Sequence, residues 1–282
     1  RELLDEGVSF IVGPMTSQIA MTVVPAANAA KVPFISPTVR TNQLIGLDDY
    51  FFRVYYANSQ AAMAMADYTR KSGLKKIVAL YDTRNLAYTE DWVRIFTERF
   101  TGDGRQVEAV PFNAATVGSF YDLVLSIKKK SPDGLLILAN SIDTALVCQQ
   151  AMKLNLSIPK FATGWSYSGK LITYGGKSVE GLVLVQSVDL KKDRQEVQRF
   201  LKAFRNGYFV DPTFPAVHAY DATRFVLHAL KKLGAGGDLK QKLLSIESFP
   251  GILQDFALDE YGDVVNPPIY FMKIDEAVFY SL

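Results

Sequence analysis

The sequence predicts an α/β protein built as two doubly wound, parallel-sheet lobes. Three observations carry this expectation. Short apolar runs (Phe10–Val12, Phe34–Ile35, Ile77–Tyr81, Leu135–Ala139, Leu182–Val185) are nearly uninterrupted, as in strands buried on both faces. Most are followed by a turn and a stretch of helical spacing, the grammar of right-handed βα crossovers. The 282 residues suggest about two domains. No Pro/Gly-rich joint separates them, which favours two lobes linked by several crossing segments.

Each element has its own warrant. Thr16 or Ser17 caps a helix whose inward face is Ile19, Val23, Ala26, Ala27 and Ala30. Pro25 is expected to kink or restart it. Residues 40–50 read as loop or short helix, and 51–56 as extended. Ser59 caps a helix over 60–71, closed by Gly73. A strand at 76–81 ends at Asp82, and the next helix, 89–100, carries Trp92, Ile95, Phe96 and Phe100 on one face. A strand at 107–112, a helix at 118–130, a strand at 134–139, a helix at 144–154 and a short strand at 161–163 continue the alternation. The last third holds a strand at 182–186, helices at 194–204 and 216–233, and a Gly-rich turn at 234–237. A hairpin-type turn at 259–263 precedes a closing strand at 269–274.

Composition excludes several classes. An apolar fraction of 49% with 21% charged residues describes a globular chain with a substantial core. A net charge of +2 without basic blocks carries no nucleic-acid footprint. The apolar runs are too short to cross a bilayer. The opening Arg-Glu-Leu-Leu-Asp-Glu-Gly reads as the end of a helix and not as a signal peptide, so residue 1 is not expected to start the natural precursor. The single Cys148 allows no intramolecular disulfide, and His218 and His228 form no ligand-spaced cluster, so no metal site is expected. Gly175–Ser178 and Gly234–Gly237 fail as phosphate-loop and dinucleotide fingerprints, so no cofactor is expected either.

Gly164-Trp165-Ser166-Tyr167-Ser168 is the nearest approach to a nucleophile elbow, but Ser168 stands where the turn needs Gly. A Ser hydrolase using Ser166 and His218 is therefore a weak alternative, and no catalytic residue is expected. The hydroxyls of Ser17, Ser36, Thr38 and Thr41 are more informative. They gather at the ends of two neighbouring strands, where open α/β sheets bind ligands, and suit a carboxylate. Helix capping and turn formation compete as explanations, evenly so for Ser36. Tyr88, read as lying between a strand end and the next helix, either closes over a ligand or packs its loop.

Taken together, Gly13-Pro14, Ser17, Val24-Pro25-Ala26 and Val32-Pro33-Phe34-Ile35-Ser36-Pro37-Thr38 resemble the first lobe of type 1 periplasmic binding proteins. The branched-chain amino-acid (Leu/Ile/Val-type) receptors of ABC transporters are the nearest group. Phe52-Arg53, Ile77–Asp82, Tyr88, Glu180-Gly181-Leu182, Tyr220-Asp221-Ala222 and Leu258–Asp263 extend the resemblance over essentially the whole chain. It implies a Venus-flytrap with a ligand in its cleft. One lobe falls at 1–57 plus 189–266, the other at 58–188 plus 267–282. It also implies that the first strand, helix and second strand of the first lobe are missing from this sequence, whose exposed edges would favour association.

By the same resemblance, Ser17 and the loop Thr38, Val39, Arg40 and Thr41 hold the ligand's carboxylate and ammonium. Tyr88 stacks on the ligand, and Asn140 or Ser141 occupies a position often aromatic. Trp165 falls where the family places the acid that pairs with the ammonium. This departure points to a carboxylate lacking that ammonium, to another acid such as Asp189 or Asp221, or to a Trp165 that belongs to the lobe core and not to the site. The implied role is an extracytoplasmic solute-binding protein, periplasmic or extracellular and membrane-anchored in some forms. Its partners are a small-molecule ligand, an amino acid or related carboxylate, and a membrane permease. A ligand-sensing regulatory domain of the same fold is the alternative.

Overall fold

A computed structural model describes residues 2–186, 194–234, 237–265 and 268–282. The chain divides into two compact units, Arg1–Asn58 with Val188–Pro267, and Ser59–Ser187 with Pro268–Leu282. In chain order, α1 (Glu2–Asp5), β1 (Ile11–Val12), α2 (Ser17–Ala30), β2 (Phe34–Ser36) and β3 (Phe51–Arg53) open the first unit. The second holds α3 (Asn58–Lys71, its first residue in unit one), β4 (Lys76–Asp82), α4 (Leu86–Phe100), β5 (Gln106–Phe112) and α5 (Phe120–Lys129). It continues with β6 (Gly134–Leu138), α6 (Ser141–Lys153), β7 (Lys160–Thr163), α7 (Gly169–Gly175) and β8 (Val183–Gln186). The chain returns to the first unit for α8 (Gln195–Tyr208), α9 (Phe214–Lys231), α10 (Leu239–Leu244), β9 (Phe249–Pro250) and β10 (Asp255–Phe256). Finally β11 (Tyr270–Asp275) and β12 (Val278–Ser281) complete the second.

In the first unit β1, β2 and β3 form a parallel sheet in that order, with Phe34 opposite Phe51 and Ile35 opposite Phe52. Alternation along the strands then separates the pairs. Phe34 and Phe51 pack with Ala20, Val24 and Ala27 of α2, while Ile35 and Phe52 pack with Ala222, Phe225 and Val226 of α9. Both faces are covered, which is why the strands read as unbroken apolar runs. The second unit has a seven-stranded sheet, β12-β11-β8-β7-β6-β4-β5, parallel from β8 to β5 and antiparallel at β11 and β12. Ile77–Leu80 and Leu135–Leu138, on interior strands, are wholly buried.

Several expectations need correction. The helix α2 runs unbroken past Pro25. Thr16 is its cap, accepting from the Ile19 N–H at 3.3 Å, and Ser17 is not. The helix after β4 begins at Leu86 instead of Thr89, preceded by a 3-10 turn that Asp82 caps. Tyr88 therefore sits within the first turn of α4, not in a loop. The turn at 259–263 is hairpin-like, with Leu258 bridging Val264 antiparallel, but the closing strand is not its partner, because β11 pairs with β8 and β12. Part of the Gly-rich turn, residues 235–236, lies outside the described residues.

The 259–263 turn delivers Asp263. The Asp259 carboxylate accepts the N–H groups of Tyr261 and Asp263, both at 2.9 Å, winding the backbone tightly. Gly262 has φ +92°, and its carbonyl accepts the Arg53 N–H at 3.1 Å. A Cβ there would stand 2.9 Å from Phe52 Cδ1 and 3.0 Å from the Phe51 carbonyl oxygen. Gly262→Ala is expected to cost about 1–3 kcal/mol, read from the urea-unfolding midpoint.

Candidate functional site

The carboxyl ends of β1, β2 and β3 converge on one set of residues. Ser17 starts α2 after β1, Thr38–Thr41 follow β2, and Tyr55 and Tyr56 follow β3. The Ser17 Oγ accepts the N–H groups of Arg40 and Thr41 at 3.1 and 3.2 Å. A hydroxyl that accepts twice keeps one proton to donate. The other hydroxyls shape the turn. Ser36 donates to the Pro14 carbonyl (3.0 Å) and accepts from Val39 N–H (3.0 Å). Thr38 donates to the Met15 carbonyl (2.5 Å), and Thr41 accepts from Gln43 N–H (3.2 Å). Ser36 and Thr38 thus spend their protons on backbone carbonyls, whereas Ser17 and Thr41 only accept in these bonds.

The loop is braced from behind. Arg53, fully buried, pairs through Nε with Asp263 Oδ1 at 2.5 Å and donates from Nη1 to the Thr41 carbonyl at 2.9 Å. Asp263 Oδ2 accepts from Gly46 N–H at 2.9 Å, and the Arg40 carbonyl accepts from Asn58 N–H at 2.8 Å. The Arg40 side chain, itself buried, places its guanidinium carbon 4.2 Å from the Tyr56 ring centre and 5.1 Å from that of Tyr55. Tyr55 in turn packs against His218 with ring centres 4.2 Å apart. Val39 is buried in the core beside α2. Burial first, and the Arg40 charge second, push the His218 pKa down from 6.5 to about 3, so its imidazole is neutral.

The second unit has its own strand-end face. Its sheet order reverses between β4, whose following strand β5 lies on one side, and β6 on the other. Ligands in open α/β sheets bind at such a switch point. Asp82 and Arg84 lie at the end of β4, Asn140 and Ser141 after β6, and Trp165 after β7. Asn140 caps α6 by accepting from Ile142 and Asp143 N–H at 2.9 and 3.1 Å, and its amide donates to Asp143 Oδ2 at 2.6 Å. Ser141 is the first residue of that helix. Tyr88 is buried, and the Trp165 ring meets it edge-on at 5.7 Å and 83°. Arg84 bridges Asp82 (2.5 Å) and Asp143, and the Asp82 hydrogen bonds hold the guanidinium even more firmly protonated than usual.

Alternatives raised by the sequence resolve on geometry. The Ser166 hydroxyl is buried, donating to the Ala139 carbonyl at 2.9 Å and lying 2.9 Å from Thr144 Oγ1. It is a structural hydroxyl, not a nucleophile. Asp221 is also structural: it pairs with Arg224 at 3.0 Å and accepts from Ile252 N–H at 2.9 Å, while burial raises its pKa to about 6. Asp189 lies outside the described residues. The sequence assigns Arg53, Asp263, Arg84 and Asp143 no site role, because the Arg53–Asp263 and Arg84–Asp143 pairs join residues remote in sequence. The Phe52-Arg53 and Leu258–Asp263 motifs were the available signal. Among the described residues there is no His/Cys/Asp/Glu group able to hold a metal, and no helix long and apolar enough to cross a membrane.

A family model for periplasmic binding proteins matches residues 1–278. The chain belongs to that family. It is 23% identical to "Leu/Ile/Val-binding protein homolog 6" of Brucella suis over 99% of this chain and 74% of that protein. Among solved structures, a leucine-binding protein from Thermotoga maritima superposes with a TM-score of 0.88 at 23% identity, over 100% of this chain and 81% of that one. A solute-binding protein of an ABC transporter from R. palustris, in complex with benzoate, gives 0.86 at 23% identity over 100% and 78%. These likenesses establish the type 1 periplasmic-binding-protein fold. Members of the family are periplasmic or extracellular solute-binding proteins and not enzymes.

Two predictions follow from this geometry. Removing one partner of a buried ion pair strands the other, so Asp263→Ala is expected to destabilise by about 3–5 kcal/mol. Asp263→Leu with Arg53→Met should cost markedly less, as read from urea unfolding of both variants. The second prediction concerns acid. Below pH 6.5 the unfolded chain protonates His218 while the folded one does not until about pH 3. Stability from this group is therefore fully present above pH 6.5 and is lost as pH falls, by up to about 1.4 kcal/mol per unit. Asp221 acts oppositely between pH 6 and 3.8, since its raised pKa makes the folded state bind the proton first. The His218 contribution is thus read as a difference: His218→Phe should lose stability less steeply than wild type between pH 6.5 and 4.

Proposed function

We propose that this chain is the solute-binding component of an ABC transporter, capturing a small organic carboxylate and delivering it to a membrane permease. The observation that carries the reading is Ser17, whose Oγ is fixed by two backbone N–H groups and retains a proton for an anion at the start of α2. A helix N-terminus adds favourable dipole and N–H groups for a carboxylate. Arg40 extends from the same loop and adds positive charge. Tyr88, Asn140, Ser141 and Trp165 are the second unit's proposed ligand contacts.

The ligand class follows from what these residues offer. Trp165 gives an ammonium only cation–π attraction, about 0.5–2 kcal/mol, where an acid would neutralise it. An aliphatic or aromatic acid without an α-ammonium therefore suits this chain better than leucine or valine. The named relatives span both chemistries: one structure is of a leucine-binding protein, and another is a complex with benzoate.

A thermal-shift screen over amino acids and small carboxylates tests the reading. Saturating ligand at about 100 times its Kd should stabilise by roughly 2.7 kcal/mol. Unchanged transitions across the carboxylate set, or stabilisation by leucine and valine alone, would contradict it. With a ligand in hand, Ser17→Ala is expected to weaken binding by about one to two decades in calorimetry, since a charge-assisted hydrogen bond is lost.

A further inference from the structure

Near Arg40, Tyr56 after β3 and His218 on α9 each carry a buried polar atom, Oη and Nε2, with no hydrogen-bond partner among the described residues. Tyr56 is 2% exposed and His218 8%. Leaving such groups unsatisfied costs free energy, so their persistence together calls for an explanation. They lie in one aromatic cluster. The Tyr55 and Tyr56 rings meet edge-on at 4.7 Å, Phe214 stacks on Tyr55 at 6.1 Å, and His218 packs against Tyr55 at 4.2 Å. The cluster is continuous with the Ser17 face, because Arg40 is at once a cluster member and the residue whose N–H binds Ser17.

We propose that Tyr56 and His218 form a second polar subsite beside the carboxylate site, which takes an oxygen substituent of the ligand, a hydroxyl or a second carboxylate. This rests on the carboxylate reading above and deepens it by naming the ligand's second functional group. The chemistry of the subsite selects oxygen. A phenol donates one hydrogen bond and accepts others, and a neutral imidazole nitrogen does one or the other according to its tautomer. A hydroxyl answers both atoms in either arrangement, and a carboxylate answers two donors. An ammonium would meet the Arg40 guanidinium at the same cluster and is repelled. A site built to hydrogen-bond a substituent rejects an analogue lacking it strongly, because its own polar atoms are then buried without partners.

Calorimetry on the full chain with matched acids provides the test. The probes are benzoate, 3-hydroxybenzoate and 4-hydroxybenzoate, and hexanoate, 6-hydroxyhexanoate and adipate. Wild type should bind at least one oxygen-bearing member roughly tenfold or more tighter than its parent acid. That ratio should collapse to within about threefold in Tyr56→Phe, which removes only the hydroxyl, and in His218→Phe. Tyr56→Phe keeps the test valid should the histidine variant fold poorly. Parents binding as tightly as their substituted partners, or a ratio that survives Tyr56→Phe, would overturn the subsite alone. Failure of every acid in both series to bind would overturn the carboxylate reading, and the subsite with it.

Discussion

The ion pair between Arg53 and Asp263 holds the candidate site in shape. The two residues are 210 positions apart, yet the guanidinium spans from the Asp263 carboxylate to the Thr41 carbonyl. Burying both charges gives little net stability, since desolvation offsets most of the attraction. What the pair supplies is position. The 38–41 loop is held by Ser17 through its N–H groups, by Arg53 through a carbonyl, and by Asn58 through another. A loop ordered before the ligand arrives spends less of the binding free energy on ordering itself.

This scaffold also explains why hydroxyls crowd the first two strand ends. Ser36 and Thr38 satisfy backbone carbonyls of the 13–15 turn, and Thr41 caps the 3-10 turn after it. They build the loop that Ser17 then closes. Composition at a strand end thus does not separate ligand donors from turn formers. Only the hydrogen-bond partners do, and those are fixed by chain geometry that residue type does not encode.

Much of the fold was legible because burial on both faces leaves a direct imprint. Ile77–Tyr81 and Leu135–Ala139 read as strands since every side chain in them is apolar or small, and they are interior strands of the sheet. Tyr88 was misplaced because Asp82, a strand-end residue, also caps the 3-10 turn that starts the next helix early. Pro25 misled for a different reason: tertiary packing of Ala20, Val24 and Ala27 outweighs a local helix breaker. At the first strand end, the position of Ser17 at the start of α2 was readable from its place after Gly13-Pro14. The Arg53–Asp263 and Arg84–Asp143 pairings were not, because they depend on long-range topology.

A crystal structure with a carboxylate that stabilises the protein would examine the central claim most directly. The account places one carboxylate oxygen within about 3 Å of Ser17 Oγ, at the start of α2, with the 38–41 loop unchanged. A carboxylate bound at Arg84, or anywhere away from Ser17, would contradict it.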